Sequence, residues 1–139
     1  MLRKYWWILL VVAVALGVHF TAQNIIHHGD PENLKGPDLA KVARIEAEDP
    51  ARGARVRAGM EKYESICRLC HHRTGHGGKF TPAIGGRPAA YVEHMLKLYR
   101  SGAKVGPMTN LMAPWAKELT DEDIRNLGAY VETLAGTKP

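Results

Sequence analysis

The run Cys67-Arg68-Leu69-Cys70-His71 constrains this chain more than any other part of its sequence. On a helix, Cys67 and Cys70 are three residues apart and Cys67 and His71 are four apart, so the three side chains point to one side. Two thiols and an imidazole in a C-x-x-C-H arrangement are typical of covalent haem attachment, with the histidine binding the iron. The run therefore predicts a haem held by Cys67, Cys70 and His71.

Two other interpretations use the same cysteines. A zinc site could draw on Cys67 and Cys70 together with His72 and His76, but a single residue separates Cys70 from His72. Zinc fingers usually leave about a dozen residues between the cysteine pair and the histidine pair. A redox-active disulfide would be expected beside a strand, helix, strand pattern, which this sequence lacks. Both interpretations are weaker than haem attachment.

The N-terminal residues form an apolar stretch. Residues 5–20 are almost wholly apolar and follow Arg3 and Lys4, a pattern shared by signal peptides and signal anchors. If Ala22 were the last residue removed, Phe20 would occupy a position that a cleavage site fills with a small side chain. The sequence therefore favours a retained anchor.

Three segments follow from this pattern: a transmembrane signal anchor at residues 1–22, a periplasmic linker at 23–51 and a folded domain at 52–139. The positive-inside rule predicts a single pass through the inner membrane, with the N-terminus in the cytoplasm and the domain in the periplasm. The domain has fourteen basic and eight acidic residues. Because the basic residues are scattered without aromatic interleaving, an acidic protein, anionic lipid or plain solvated surface is favoured over nucleic acid.

A short helix is predicted within the linker. Residues 37–47 begin with a proline, which suits a first helical turn, and Leu39, Val42 and Ile45 are spaced for one face. This apolar face is suited to docking on a partner.

Within the domain, hydrophobic periodicity predicts helices and no strand. The expected helices cover residues 52–66, the segment between Pro88 and Gly102, and the segment from Thr120 to Gly136. The segments between them, 72–87 and 103–117, are rich in glycine, proline and methionine, which predicts loops around a cofactor.

Several ordered features surround the haem motif. A glycine and an aromatic residue precede it, and a proline loop, a middle helix, a methionine and a closing helix with a late aromatic follow it. In this chain these are Gly59, Tyr63, Pro82, residues 91–100, Met112, residues 119–124 and Tyr130. Over residues 52–136 this order resembles the small bacterial class I cytochromes c. The resemblance implies an all-α class I cytochrome c domain of three to four helices around one haem c, with Gly59 against Tyr130 where the first and last helices cross.

The resemblance also implies which residue binds the iron opposite His71. Met112 is favoured, because its distance from the closing helix is that of short family members. Met108 is an alternative, and His76 or His94 would give a bis-histidine haem. His94 lies away from the apolar stripe of its helix and is expected at the surface.

Three further residues are assigned to the haem site, and one position departs from the family. The resemblance implies that the Pro82 carbonyl accepts a hydrogen bond from His71 and fixes its ring. Tyr99 and Trp115 are expected to pack on the haem, although each is equally suited to an ordinary core or interface. The family usually has a glycine after the histidine, where this chain has His72, so the local turn is expected to differ.

A haem bound by both His71 and Met112 has no vacant position, so the sequence predicts an electron-transfer protein rather than an enzyme. Its partners would be respiratory or photosynthetic membrane redox complexes, such as a quinol-oxidising complex, a dehydrogenase or a terminal oxidase. No Ser/His/Asp triad, phosphate-binding loop or paired catalytic carboxylates can be argued from the sequence, and no small-molecule substrate is expected. The alternative is a haem enzyme or gas sensor in which Met112 leaves the distal site open.

Overall fold

The computed structural model describes residues 37–135, which form helices joined by loops, with no strand in that range. The helices are α1 (Leu39–Glu48), α2 (Pro50–Lys62), a π-helical turn (Tyr63–Cys67), α3 (Arg68–His71), α4 (Ala89–Arg100), α5 (Thr109–Lys117) and α6 (Asp121–Thr133). The prediction of a helical domain is confirmed.

The core lies where α6 packs against α2 and α4. The largest fully buried side chains lie on α2, on the π-helical turn and on α6: Val56, Tyr63, Ile124, Leu127 and Val131. Burial of such side chains from water is the main stabilising contribution to a domain of this size.

The crossing of α2 and α6 depends on Gly59. A Cβ atom placed there would lie 2.0 Å from the backbone oxygen of Asn126 and 2.9 Å from Cβ of Tyr130. The two backbones can approach this closely only because glycine has no side chain. The predicted contact between Gly59 and Tyr130 is therefore confirmed.

Local sequence signals define the starts of two helices. At α6, the Thr120 side chain accepts from the Asp123 backbone N–H, and the Asp123 side chain accepts from the Thr120 backbone N–H, which is a capping box. At α2, Asp49 caps the helix and Pro50 occupies its first position. The helix predicted over 52–66 thus starts earlier than expected and becomes π-helical at Tyr63.

Helix α1, predicted at residues 37–47, is present and packs against α2. Val42 is buried and Ile45 contacts the core, while Leu39 stays exposed. Arg57 Nε donates to Glu46 Oε1 at 2.6 Å, and Lys41 Nζ donates to the Thr133 carbonyl at the end of α6. The apolar face of α1, which was expected to dock on a partner, therefore packs largely against the folded domain of the same chain.

Helix α5 was not predicted, because residues 103–117 contain glycine and proline, which usually indicate loops. Thr109 supports its start: the Thr109 hydroxyl accepts from the backbone N–H groups of Val105 and Gly106 at 3.0 and 2.9 Å. Pro114 lies inside the helix, and Ala116 is fully buried. Packing against α4 thus outweighs the composition of the segment.

The predicted inner-membrane localisation is wrong on the evidence of the described residues. The longest helices between residues 37 and 135 have 13 residues, whereas a membrane-spanning helix needs about 20 predominantly apolar ones. No helix in this range is both long and apolar enough to cross a bilayer. The anchor predicted at residues 1–22 lies outside the described residues, as do residues 23–36 of the linker.

Candidate haem-attachment site

The two cysteines lie on a short helical turn at the surface. The backbone N–H of Arg68 donates to the Tyr63 carbonyl, five residues earlier, which widens the helix into a π-helical turn ending at Cys67. An ion pair between Arg68 and Glu64, 2.8 Å long, spans the same turn. Cys67 is half-buried, Cys70 is exposed, and neither forms a disulfide.

The environment of Cys67 bears on the competing metal and redox interpretations. Burial raises the pKa of the Cys67 thiol to about 12. Redox-active cysteines and zinc ligands act as thiolates, which a raised pKa disfavours. Within residues 37–135, no group of three or more His, Cys, Asp or Glu side chains is placed to hold a metal ion. The raised pKa keeps the Cys67 thiol protonated at neutral pH, which disfavours a redox-active thiolate.

His71 ends α3 and is buried, with 7% of its surface exposed. Its Nδ1 lies 3.2 Å from the Pro82 carbonyl oxygen. This contact assigns the proton to Nδ1, because a carbonyl can only accept, and leaves Nε2 as the nitrogen with a free lone pair. Burial lowers the pKa of His71, which keeps the ring neutral, as an iron ligand must be. His71 and Pro82 thus have the arrangement that the resemblance implied.

The loop after His71 is tied together by backbone hydrogen bonds. The Gly77 N–H donates to the His71 carbonyl at 3.1 Å, and the Gly78 N–H donates to the Thr81 carbonyl at 2.9 Å. A Cβ on Gly77 would lie 2.2 Å from the Thr81 oxygen and 2.7 Å from the Pro82 oxygen, and Gly77 has a positive φ of 72°. Glycine at this position therefore lets the loop bring the Pro82 carbonyl to His71.

The remaining predicted residues lie on α4 and α5. Met112 is partly buried and packs against the core, whereas Met108 is the N-cap residue of α5 and is not among the residues packed there. Tyr99 is half-buried, and burial raises the pKa of its hydroxyl. Trp115 is 53% exposed. Their predicted contacts with haem stay predictions. His94 is exposed on α4, as expected.

Sequence reasoning missed two features beside the site. Tyr63 donates its hydroxyl hydrogen to the His72 carbonyl at 2.6 Å, a contact that no motif reveals because it depends on tertiary folding. The His72 ring stacks on His76, with centroids 4.4 Å apart and planes inclined by 19°. The one available signal was His72 itself, which stands where the family usually has glycine.

Comparison with known proteins identifies the family of the domain. Residues 54–131 match the model of the family described as cytochrome c oxidase, cbb3-type, subunit III. Cytochrome c-554(548) of Halomonas halodenitrificans is 39% identical over 74 residues, which cover 52% of this chain and 88% of that protein.

Two longer relatives are named for their redox systems. The cbb3-type cytochrome c oxidase subunit FixP of Azorhizobium caulinodans is 30% identical over 122 residues, 79% of this chain and 41% of that protein. The thiosulfate dehydrogenase electron acceptor of Thiomonas intermedia is 29% identical over 111 residues, 78% of this chain and 49% of that protein. The domain match and the small relative above show that this chain belongs to the small class I cytochromes c, a family that carries covalently bound haem c.

Proposed function

We propose that this chain is a one-electron carrier with a single haem c, attached through Cys67 and Cys70 and bound axially by His71 and Met112. The observation that carries the proposal is the buried His71 ring, held by the Pro82 carbonyl 3.2 Å from Nδ1, next to two cysteines outside any disulfide. When bound, the haem supplies reversible exchange of one electron between Fe(III) and Fe(II).

The chain's own residues orient the proximal ligand. The Pro82 carbonyl fixes the His71 ring in one tautomer, and such contacts to a ligand's second nitrogen tune the metal it binds. Burial of His71 keeps water away from the same ring. Both effects favour a fixed ligand geometry, which a carrier needs in both oxidation states.

Met112 is the proposed distal ligand, because it is the methionine of α5 that packs against the core. A neutral thioether favours Fe(II) and raises the reduction potential relative to a second histidine. With both axial positions filled, substrate chemistry at the iron is disfavoured, which separates this proposal from a haem enzyme or gas sensor.

The proposed partners are redox enzyme complexes, either an oxidase that accepts electrons or a dehydrogenase that supplies them. The names of the two longer relatives support these classes. Leu69 and Cys70 are exposed on the attachment turn, so a haem joined to Cys70 would have an edge near the surface. The excess of basic residues in 52–139 favours an acidic docking surface on the partner.

The test compares Met112→Ala with Met108→Ala in the haem-loaded protein. We expect Met112→Ala to convert a low-spin spectrum to a high-spin one that binds carbon monoxide when reduced, and to lower the midpoint potential. Met108→Ala, at the N-cap of the same helix, should leave all three properties unchanged. If Met108→Ala opened the site instead, or if neither variant did, the proposed ligation would be refuted.

A further inference from the structure

His72 adopts a backbone conformation that side chains disfavour. Its φ is 61° and its ψ is 168°, and it is the one non-glycine residue with positive φ among those described in the structure. This region of backbone space is occupied almost entirely by glycine. Residues persist there only where surrounding contacts hold them, and such positions cluster at functional sites.

Backbone contacts hold His72 at both of its peptide groups. Its N–H donates to the Arg68 carbonyl at 2.9 Å, and its carbonyl accepts from the Gly75 N–H at 3.2 Å. The shortest hydrogen bond to His72 comes from a side chain: the Tyr63 hydroxyl donates to the His72 carbonyl at 2.6 Å. Tyr63 is thus the side chain that reaches across the attachment turn to the residue after His71.

Tyr63 is well suited to hold this carbonyl in place. Its side chain is fully buried, and its ring meets that of Tyr130 edge to face, with centroids 5.4 Å apart. Burial also raises the pKa of the Tyr63 hydroxyl, which therefore stays protonated and able to donate. The ring is fixed by the helix crossing, so the position of the hydroxyl is fixed as well.

We propose that Tyr63 is a positioning residue for His71: by holding the His72 carbonyl, its hydroxyl fixes the chain reversal after His71 and so the orientation of the His71 ring toward the haem. The inference rests on the proposed function, since it assumes that His71 binds the iron. In this proposal Tyr63 connects the crossing of α2 with α6 to His71, the proposed iron ligand.

The test is Tyr63→Phe in the haem-loaded protein, with Tyr130→Phe as the matched control. Both substitutions remove one hydroxyl from the same ring pair, but only Tyr63 contacts His72. The readout is the proton NMR spectrum of the oxidised protein, because the spread of the haem-methyl resonances depends on the orientation of the axial imidazole plane. We expect Tyr63→Phe to change this spread at least threefold more than Tyr130→Phe, with a parallel shift in midpoint potential.

Denaturant unfolding of both variants shows that each is folded under the conditions of the NMR experiment. If both variants lost stability while their haem-methyl spectra coincided with the wild type, Tyr63 would be merely structural and the inference would be overturned. Failure of the proposed function is separately visible, because the wild-type haem would then lack a bound histidine or methionine.

Discussion

The crossing of α2 with α6 and the loop from His72 to Pro82 both require close approach of backbone to backbone, and each has a glycine at the closest point. At Gly59 a side chain would collide with Asn126, and at Gly77 it would collide with Thr81 and Pro82. The crossing joins two regular helices and serves the core, whereas the loop has no regular structure and carries the carbonyl that contacts His71. Damage to the crossing should therefore act mainly on stability and reach the haem only through the contact of Tyr63 with His72, whereas damage to the loop should act directly on the hydrogen bond to His71.

The largest effect is expected from Gly59→Ala. The new Cβ would force α2 and α6 apart, and overpacking of this kind costs about 3 kcal/mol of unfolding free energy. Because neither proposed iron ligand lies in the crossing, the folded protein should keep a low-spin absorption spectrum, and any effect on the haem should pass through the contact of Tyr63 with His72. Denaturant unfolding followed by far-UV circular dichroism measures the unfolding free energy, and absorption spectroscopy reports the state of the haem.

Gly106→Ala is the control for this substitution, since a Cβ at Gly106 would meet nothing within 4 Å. We expect its unfolding free energy to stay within about 0.5 kcal/mol of the wild type. A Gly59→Ala protein as stable as this control would show that the helices do not cross as described.

A smaller loss of stability is expected from Gly77→Ala, about 2 kcal/mol, because alanine disfavours the positive φ and would press on Thr81 and Pro82. It should also shift the midpoint potential of the haem, and by more than Gly59→Ala does, because displacing the Pro82 carbonyl changes the hydrogen bond to His71 directly. Gly78→Ala is the matched control, since a Cβ there would meet only His72 Nε2 at 3.6 Å. Equal potentials in the two variants would contradict a role for this loop in holding His71.

Thr120→Ala tests the start of α6 without disturbing either close approach. Losing the N-cap hydroxyl leaves the Asp123 N–H without its side-chain partner, which costs about 1 kcal/mol. The midpoint potential should not change. Thr133→Ala, which removes a hydroxyl that donates to the Tyr130 carbonyl near the other end of α6, should cost less. The chemical denaturation midpoints of the two variants provide the comparison.

The smallest expected effect is a pH dependence at the same end of α6. Arg100 lowers the pKa of Asp121 by a side-chain hydrogen bond. For Asp123, burial acts to raise the pKa, but hydrogen bonds from Thr120 and the nearby Lys62 lower it overall. Since both pKa values are lower in the folded state, their contribution is present above the unfolded value near 3.8 and is lost as the pH falls through the folded values.

Asp123→Asn should therefore reduce the loss of stability between pH 5 and pH 3, measured by denaturant unfolding at each pH. The change is expected to be small, because these carboxylates are accessible to solvent. Glu122→Gln, which removes the same charge from the same turn, is the matched control. An unchanged slope in Asp123→Asn would contradict the depressed pKa of this carboxylate.

Local patterns in the sequence predicted the features that depend on nearby residues. The capping residues of α6 and the helix after Pro88 could be identified in this way, whereas the glycine at the helix crossing was implied by the resemblance to the class I cytochromes c. Helix α5 could not be identified from the sequence, because Gly106, Pro107 and Pro114 indicate a loop. Its formation depends on packing against α4, which outweighs this local preference. The contact of Tyr63 with His72 could not be identified either. Hydrophobic periodicity indicates that Tyr63 is buried, but it does not specify which backbone group its hydroxyl reaches.

Carbon monoxide binding to the reduced wild-type protein tests the central claim most directly. If His71 and Met112 both bind the iron, the low-spin reduced spectrum should persist under carbon monoxide at neutral pH, and the protein should exchange one electron reversibly. Rapid formation of a carbon monoxide adduct from a high-spin reduced haem would contradict the carrier proposal and indicate an open site suited to catalysis or gas sensing.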